Sequence, residues 1–210
     1  MTSDAVARFK SLLQSPDQSV RLNAVMTAGT YPQPEYIDLL IDQCAHEPDF
    51  FVRDTLSWAL MRQDISEVVK RLEVELKSSN PKSRGQALHT FSKIGDKKYY
   101  SLITNELLLD SDDSVAMVAW RAASGLVSED GIDELSRTLF TQLGRGNFEV
   151  QLGLSRALCR LGKVIIPALI VATRSSDEAI KHHAQFTARL FKKPEFQCRF
   201  GVEFAKRIQK

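Results

Sequence analysis

The sequence has few of the residues that would mark an unusual class of protein. Ten glycines and seven prolines among 210 residues exclude collagen-like and low-complexity disordered chains. Charge of one sign is also scarce, because 28 Lys and Arg side chains are balanced by 26 Asp and Glu and leave a net charge of +2. A total this close to zero does not indicate a nucleic-acid or membrane partner, so only the distribution of charge along the chain is informative.

Cysteines and long apolar runs are also few. Cys44, Cys159 and Cys198 form no C-x-x-C pair and lie in helical apolar patterns. This predicts reduced thiols that fill the core of a cytoplasmic protein, with reactivity or metal binding as the alternative. The longest apolar run, Val164 to Ala172, contains Pro167 and is much shorter than the about 20 residues that cross a membrane. We expect a soluble chain without a membrane partner.

Motifs for catalysis or cofactor binding are missing from the sequence. No P-loop, HExxH or nucleophile elbow occurs, and Gly144-Arg145-Gly146 lacks the third glycine of a dinucleotide loop. His182 and His183 are neighbours, so on a helix they point about 100° apart and cannot chelate one metal ion. The sequence therefore predicts no enzyme activity, no metal site and no cofactor.

An internal repeat organises the chain. Six short turns hold Asp or Asn at their third position, and an anchor residue follows three positions later. Successive anchors are 32, 31, 32, 35 and 30 residues apart. The turn residues are Asp17, Asp49, Asn80, Asp112, Asn147 and Asp177, and the anchors are Val20, Val52, Ser83, Val115, Val150 and Ile180. Because Asp and Asn side chains cap helix N-termini, each turn is predicted to begin a helix.

Each of these helices is predicted to carry an apolar stripe. Small or apolar residues recur at offsets 0, 4 and 8 from the anchor, as in Val52, Leu56 and Leu60, with polar Ser83 as the exception. A second helical pattern of about a dozen residues precedes each turn, so every repeat is predicted to be a helix pair. The predicted repeats span 3–31, 34–63, 65–95, 97–127, 130–161 and 163–193, within one domain over 1–210.

The segments Asp17-Gln18-Ser19-Val20-Arg21 and Asp49-Phe50-Phe51-Val52-Arg53 resemble HEAT repeats. The period is similar to that of the compact HEAT-like repeats of bacterial proteins, which include phycobilin lyases. The resemblance implies an all-α fold, a right-handed α-solenoid of about six helix pairs. It also implies a ladder of turn Asp and following Arg side chains between neighbouring repeats, here Asp17, Arg21, Asp49, Arg53 and Arg84. Ala116, Gln151 and Lys181 replace that Arg in the second half.

The C-terminal segment has its own apolar period. Beyond Pro194, Phe196, Phe200, Phe204 and Ile208 are spaced by four. This spacing predicts a C-terminal capping helix over 194–210 that covers the last repeat, with a partner-docking or self-association helix as the alternative.

Charge divides unequally between the two helices of each pair. The predicted second helices hold ten basic residues and only two acids, Asp54 and Glu149, whereas ten acids belong to the first helices. In HEAT-like solenoids the second helices line the concave wall, so the resemblance implies a basic groove. The candidate partner-binding residues are Trp58, Arg62, His89, Lys93, Arg121, Arg156, Arg160 and Arg189. The alternative is that these cations cover apolar surface or pair with acids of the next repeat. Trp120 is predicted to be a core residue.

These features favour a non-catalytic scaffold or adaptor whose basic groove binds an acidic segment of another protein. A nucleic-acid-binding protein related to the HEAT-like alkylated-DNA glycosylases is the alternative, with Asp54 and Trp58 one helical turn apart as its residues of interest. A bilin lyase is a third possibility that rests on the repeat resemblance alone.

Overall fold

The computed structural model describes residues 3–192, and within that range the chain consists of α-helices and short 3-10 turns without a strand. It divides into two compact units, the first ending at Asp96 and the second beginning at Lys97. This boundary falls between the third and fourth predicted repeats. The all-α fold of stacked helix pairs is confirmed, whereas a single domain over the whole chain stays a prediction. The proposed capping helix over 194–210 and Cys198 lie outside the described residues.

The first unit contains three helix pairs arranged in two layers. The first helices of the pairs pack beside one another, as do the second helices. The pairs are α1 (Ser3–Leu13) with α2 (Gln18–Thr30), α3 (Tyr36–His46) with α4 (Phe50–Met61), and α5 (Ile65–Glu75) with α6 (Pro81–Ile94).

The second unit also contains three pairs within the described residues, but its first helices are shorter. The pairs are α7 (Asn105–Leu108) with α8 (Asp113–Leu126), α9 (Ile132–Phe140) with α10 (Phe148–Arg160), and α11 (Ile166–Ala172) with α12 (Glu178–Lys192). Short 3-10 turns at Lys97–Leu102, Glu129–Gly131 and Gly162–Ile165 precede α7, α9 and α11. The second helices α8, α10 and α12 lie side by side.

The expectation of about a dozen residues in every first helix is wrong for this unit. The greatest departure is α7, which has 4 residues and follows a 3-10 turn instead of continuing it. Adjacent β-branched residues, Ile103 and Thr104, separate the two segments and disfavour a continuous helix. The indole Nε1 of Trp120 on α8 donates to the Leu108 carbonyl oxygen at 2.8 Å and thereby holds the end of α7.

The six turn residues cap the second helices as predicted. In every turn the Asp or Asn side-chain oxygen accepts a hydrogen bond from a backbone N–H of the following helix, with shortest distances of 2.8 to 3.0 Å. Each such bond satisfies an amide that has no partner inside the helix. The Asp and Asn residues therefore fix where each second helix begins.

The stripe at offsets 0, 4 and 8 forms the core of the central pairs. In α4, α6, α8 and α10 all of its residues are buried, including polar Ser83. Val20 on α2 and Ile180 and Ala188 on α12 are half-buried. Trp120 is fully buried, which confirms its predicted core position. None of the helices in the described range is long and apolar enough to span a bilayer.

The two described thiols behave as core groups. Cys44 is buried, and burial raises the pKa of its thiol to about 12. Cys159 is half-buried, and burial raises the pKa of its thiol to about 11. Because a thiolate is the reactive form of cysteine, both thiols are poor nucleophiles near neutral pH.

Replacement of one capping residue by two different side chains should show how much its hydrogen bonds contribute to the free energy of unfolding. Asn147→Ala removes the oxygen that accepts from Glu149 N and Val150 N and should lower the free energy of unfolding by about 1 kcal/mol. Asn147→Asp keeps an acceptor at the same position and should leave that free energy nearly unchanged. Urea unfolding followed by circular dichroism measures both, and equal losses in the two variants would contradict the capping role.

Candidate functional site

In the first unit, the residue that follows each anchor is an arginine. Its guanidinium binds backbone carbonyl oxygens in the turn after the preceding first helix. Nη1 of Arg21, Arg53 and Arg84 each donates to the carbonyl oxygens six and five residues earlier, at 2.6 to 3.2 Å. These carbonyls lie just beyond the helix, where backbone acceptors lack internal partners. In the second unit Gln151 reproduces one of these bonds, from Nε2 to the Gly146 carbonyl oxygen at 3.3 Å.

One of the contacts that join the first and second pairs is a buried ion pair. Arg21 donates through Nε and Nη2 to the two carboxylate oxygens of Glu47, both at 2.8 Å. Burial alone would raise the pKa of Glu47, but Arg21 and the Asp49 N–H hold it below its usual value. The carboxylate that Arg21 contacts across the repeat boundary is therefore that of Glu47, while Asp49, a predicted ladder residue, caps α4.

In the first unit, two of the predicted partner-binding residues, Lys93 and His89, lie beside the same acid. Nζ of Lys93 lies 2.6 Å from Oδ1 of Asp54, and Nε2 of His89 lies 3.7 Å from the same oxygen. The hydrogen bond from Lys93 lowers the pKa of Asp54. Asp54 belongs to α4 and the two basic residues to α6, so its carboxylate balances the charge of Lys93 across the pair boundary.

Trp58 packs against a glycine of the neighbouring helix. A Cβ at Gly29 on α2 would lie 2.2 Å from Cζ3 of Trp58, so the indole occupies the space that a side chain would fill. Trp58 as a whole is 36% exposed, and Arg62 at the end of α4 is exposed as well. Trp58 therefore has one side fixed by packing and the other open to solvent.

The second unit presents an arginine face, defined here as Arg121 on α8, Arg156 and Arg160 on α10, and Arg189 on α12. All four residues are exposed, although partial burial lowers the pKa of the Arg121 guanidinium. The Arg160 guanidinium carbon lies 3.4 Å from the position of a Cβ on Gly125 of α8. Arg160 thus reaches from α10 to the neighbouring helix, one turn beyond Arg121.

Acids on these three helices are restricted to the first turns. Asp113, Glu149 and Glu178 each lie in the first turn of their helix, and every later charged side chain of α8, α10 and α12 is basic. Asp113 is in addition paired with Nε of Arg145 at 2.8 Å. The exposed side of the second-helix layer in this unit is therefore positive along most of its length.

A buried polar network that the sequence did not reveal joins α10 and α12. Nδ1 of His183 accepts from the Gly144 N–H at 3.0 Å, so the ring proton is on Nε2, which lies 2.9 Å from the Gln151 carbonyl oxygen. Burial lowers the pKa of His183, and a second ring proton on Nδ1 would face the Gly144 N–H. The neutral imidazole is therefore the form that this packing requires.

The Ser155 hydroxyl near this ring is not positioned as a nucleophile. Thr187 donates to the His183 carbonyl oxygen at 2.9 Å, so its oxygen accepts from Ser155 at 2.8 Å. The Ser155 proton thus points away from the imidazole, opposite to the direction that base-assisted attack needs. Among residues 3–192 no group of three His, Cys, Asp or Glu side chains could hold a metal ion.

Comparison with known proteins identifies the class of the repeat. Residues 2–61 match a family model described as HEAT repeats, which confirms the HEAT-repeat resemblance predicted from the two N-terminal turns. This part of the chain is therefore similar to HEAT repeats, a class of repeat that generally mediates protein interaction.

Two crystal structures of engineered proteins from the Northeast Structural Genomics Consortium are similar to the chain. One is 17% identical over 92% of this chain and 100% of its own, and the other is 18% identical over 92% and 98%; both have a TM-score of 0.48. No curated protein matches the sequence.

The Gly29 contact predicts an unusual response to alanine. Ala is the better helix former by about 1 kcal/mol, but its Cβ would overlap the Trp58 indole, so Gly29→Ala should reduce stability by about 1 to 3 kcal/mol. The matched control is Gly85→Ala on α6, where a Cβ would meet nothing within 4 Å, and this variant should be stabilised. Thermal unfolding and Trp fluorescence measure both, and stabilisation of both variants would contradict the packing.

The His183 network predicts loss of stability on acidification. The pKa of His183 is lower in the folded chain than its unfolded value of about 6.5, so the unfolded state binds more protons between these two values. The free energy of unfolding should therefore be maintained above about pH 6.5 and decrease as the pH falls toward the folded pKa.

Urea unfolding between about pH 7.5 and pH 5.5 measures this dependence, since that interval includes the unfolded pKa. His183→Gln should reduce it, whereas His182→Gln, at the exposed neighbouring position, should retain it. A pH dependence that is the same in wild type and His183→Gln would exclude His183 as its source.

Proposed function

We propose that this protein is a non-catalytic interaction scaffold and that its arginine face binds an acidic segment of a partner protein. The observation that supports this proposal is the absence of acids from α8, α10 and α12 beyond their first turns. The whole chain carries a net charge of only +2, so this concentration of positive charge is local. Local charge of one sign attracts and orients a partner of the opposite sign.

Guanidinium groups suit the carboxylates of such a partner. Each presents donors in a planar fork that can bind the two oxygens of a carboxylate together, which an ammonium cannot do. Arg156 and Arg160 are one helical turn apart on α10, and Arg160 extends over Gly125 toward the helix that carries Arg121. An extended acidic peptide can contact these three side chains in succession.

The remaining predicted partner-binding residues belong to the first unit and have a smaller share in this proposal. Trp58 and Arg62 are exposed on α4 and can contact a partner. His89 and Lys93 contribute less, because Asp54 already pairs with Lys93 and lies close to His89. We place the main contacts with the acidic segment on Arg121, Arg156 and Arg160, which are exposed on the adjacent helices α8 and α10.

Charge reversal on the arginine face tests the proposal. The triple variant Arg121→Glu, Arg156→Glu, Arg160→Glu should bind a fluorescent Glu-rich peptide at least about tenfold more weakly than wild type, a loss of about 1.4 kcal/mol. The matched control reverses three exposed bases elsewhere in the second unit, Arg137, Lys163 and Arg174, and should retain binding. Fluorescence anisotropy measures all three proteins at several salt concentrations.

The outcomes distinguish the alternatives. Equal losses in the two triple variants would indicate that net charge alone matters, and absence of peptide binding to wild type would reject the acidic partner. Tighter binding to duplex DNA, with affinity falling steeply as salt rises, would favour the nucleic-acid alternative instead.

A further inference from the structure

A polar cleft opens on the first-helix side of the second unit, away from the arginine face. It lies between the 3-10 turn Lys97–Leu102, α7 and α9, and has a volume of about 210 Å³. The cleft exists because α7 is only one turn long and leaves the side of α9 partly uncovered. Its base consists of the buried side chains Ile103, Leu108 and Leu135.

Five polar side chains also line the cleft, and together they can accept hydrogen bonds in several directions. They are Tyr100, Ser101, Asn105, Glu134 and Thr138. No lining residue is Lys, Arg or His, so Glu134 supplies the only formal charge among them. The described residues provide Glu134 with no hydrogen bond and no ion pair.

The aromatic ring of Tyr100 is held next to this carboxylate. Its Cε1 lies 3.5 Å from the position of a Cβ on Gly131, so the ring packs directly on the backbone before α9. Burial raises the pKa of Tyr100, and the negative charge of Glu134 raises it further. The ring and the carboxylate line the same cleft, and both burial and the charge of Glu134 favour the neutral phenol.

We propose that this cleft binds a primary ammonium group. A compact cation is attracted both to the carboxylate and to the face of an aromatic ring. Its three N–H donors match oxygen acceptors on Glu134, Asn105 and Thr138. The apolar base suits the methylene stem that follows the ammonium in lysine or in an alkylamine. The volume is below the about 300 Å³ of the smallest typical ligand pockets, which fits a single head group with its stem.

The primary ammonium group can belong to a lysine of a partner protein or to a free small amine. Two probes distinguish these sources. The peptide Gly-Gly-Lys-Gly-Gly, with blocked termini, represents the first source and 1-butylamine the second. The same peptide with an Nε-acetylated lysine has a similar stem and no charge, so it is the neutral control. Titrations are followed by amide chemical shifts of the full-length protein at low salt.

We expect shift changes within 100–138 for the lysine peptide or the amine and none there for the acetylated peptide. Glu134→Gln should weaken binding about fivefold, as expected for an exposed ion pair. Asp133→Asn removes the same charge one residue earlier, at an exposed position that does not line the cleft, and should bind as wild type does. Tighter binding of the peptide than of butylamine assigns the site to a partner lysine, and the reverse order assigns it to a small amine.

Three results would overturn the proposal: equal binding of the acetylated peptide, equal affinities of Glu134→Gln and wild type, or shift changes outside the cleft. None of them depends on the arginine face, because that surface binds groups of the opposite charge.

Discussion

The capped turn before each second helix is the interaction on which the repeated architecture depends. An α-helix begins with amide groups that have no internal acceptor, and six Asp or Asn side chains provide one at intervals of 30 to 35 residues. Because the cap fixes the first residue of the helix, it also determines which positions face the neighbouring helices. The buried stripe and the exposed arginines both follow from this register.

The backbone carbonyl groups at the start of each turn, where the first helix ends, are bound by different residues in different repeats. Arg21, Arg53 and Arg84 bind the carbonyls that close the preceding helix, but the second unit has Ala116, Gln151 and Lys181 at these positions. There Arg145 of the turn itself donates to Gln142, to Asp113 and to the Asp110 carbonyl oxygen. Orphan backbone acceptors must be satisfied, but the residue that does so can come from the helix or from the turn.

The sequence predicts those features that depend on residues close together along the chain. Caps and helix pairs follow a local period, so Asp17 and Asp49 indicate their structure without knowledge of their neighbours. Packing of Trp58 on Gly29, of Arg160 on Gly125 and of Lys93 on Asp54 joins residues roughly 30 to 40 positions apart, and helical periodicity alone does not specify such contacts. Glycine inside a helix costs about 1 kcal/mol relative to alanine, but this signal does not single out Gly29 and Gly125, because Gly85 lies inside α6 without any close neighbour.

The near neutrality of the chain conceals two surfaces of opposite character in the second unit. The arginine face lies on α8, α10 and α12, whereas the cleft beside Glu134 lies on the layer formed by α7 and α9. Packed helix axes are about 8 to 10 Å apart, and the Debye length at physiological salt is about 8 Å. The charges of the two layers therefore face solvent on different sides of the unit, where salt weakens their interaction through the solution. The proposed anionic segment and the proposed cationic group would contact different layers, so they would not compete for the same side chains.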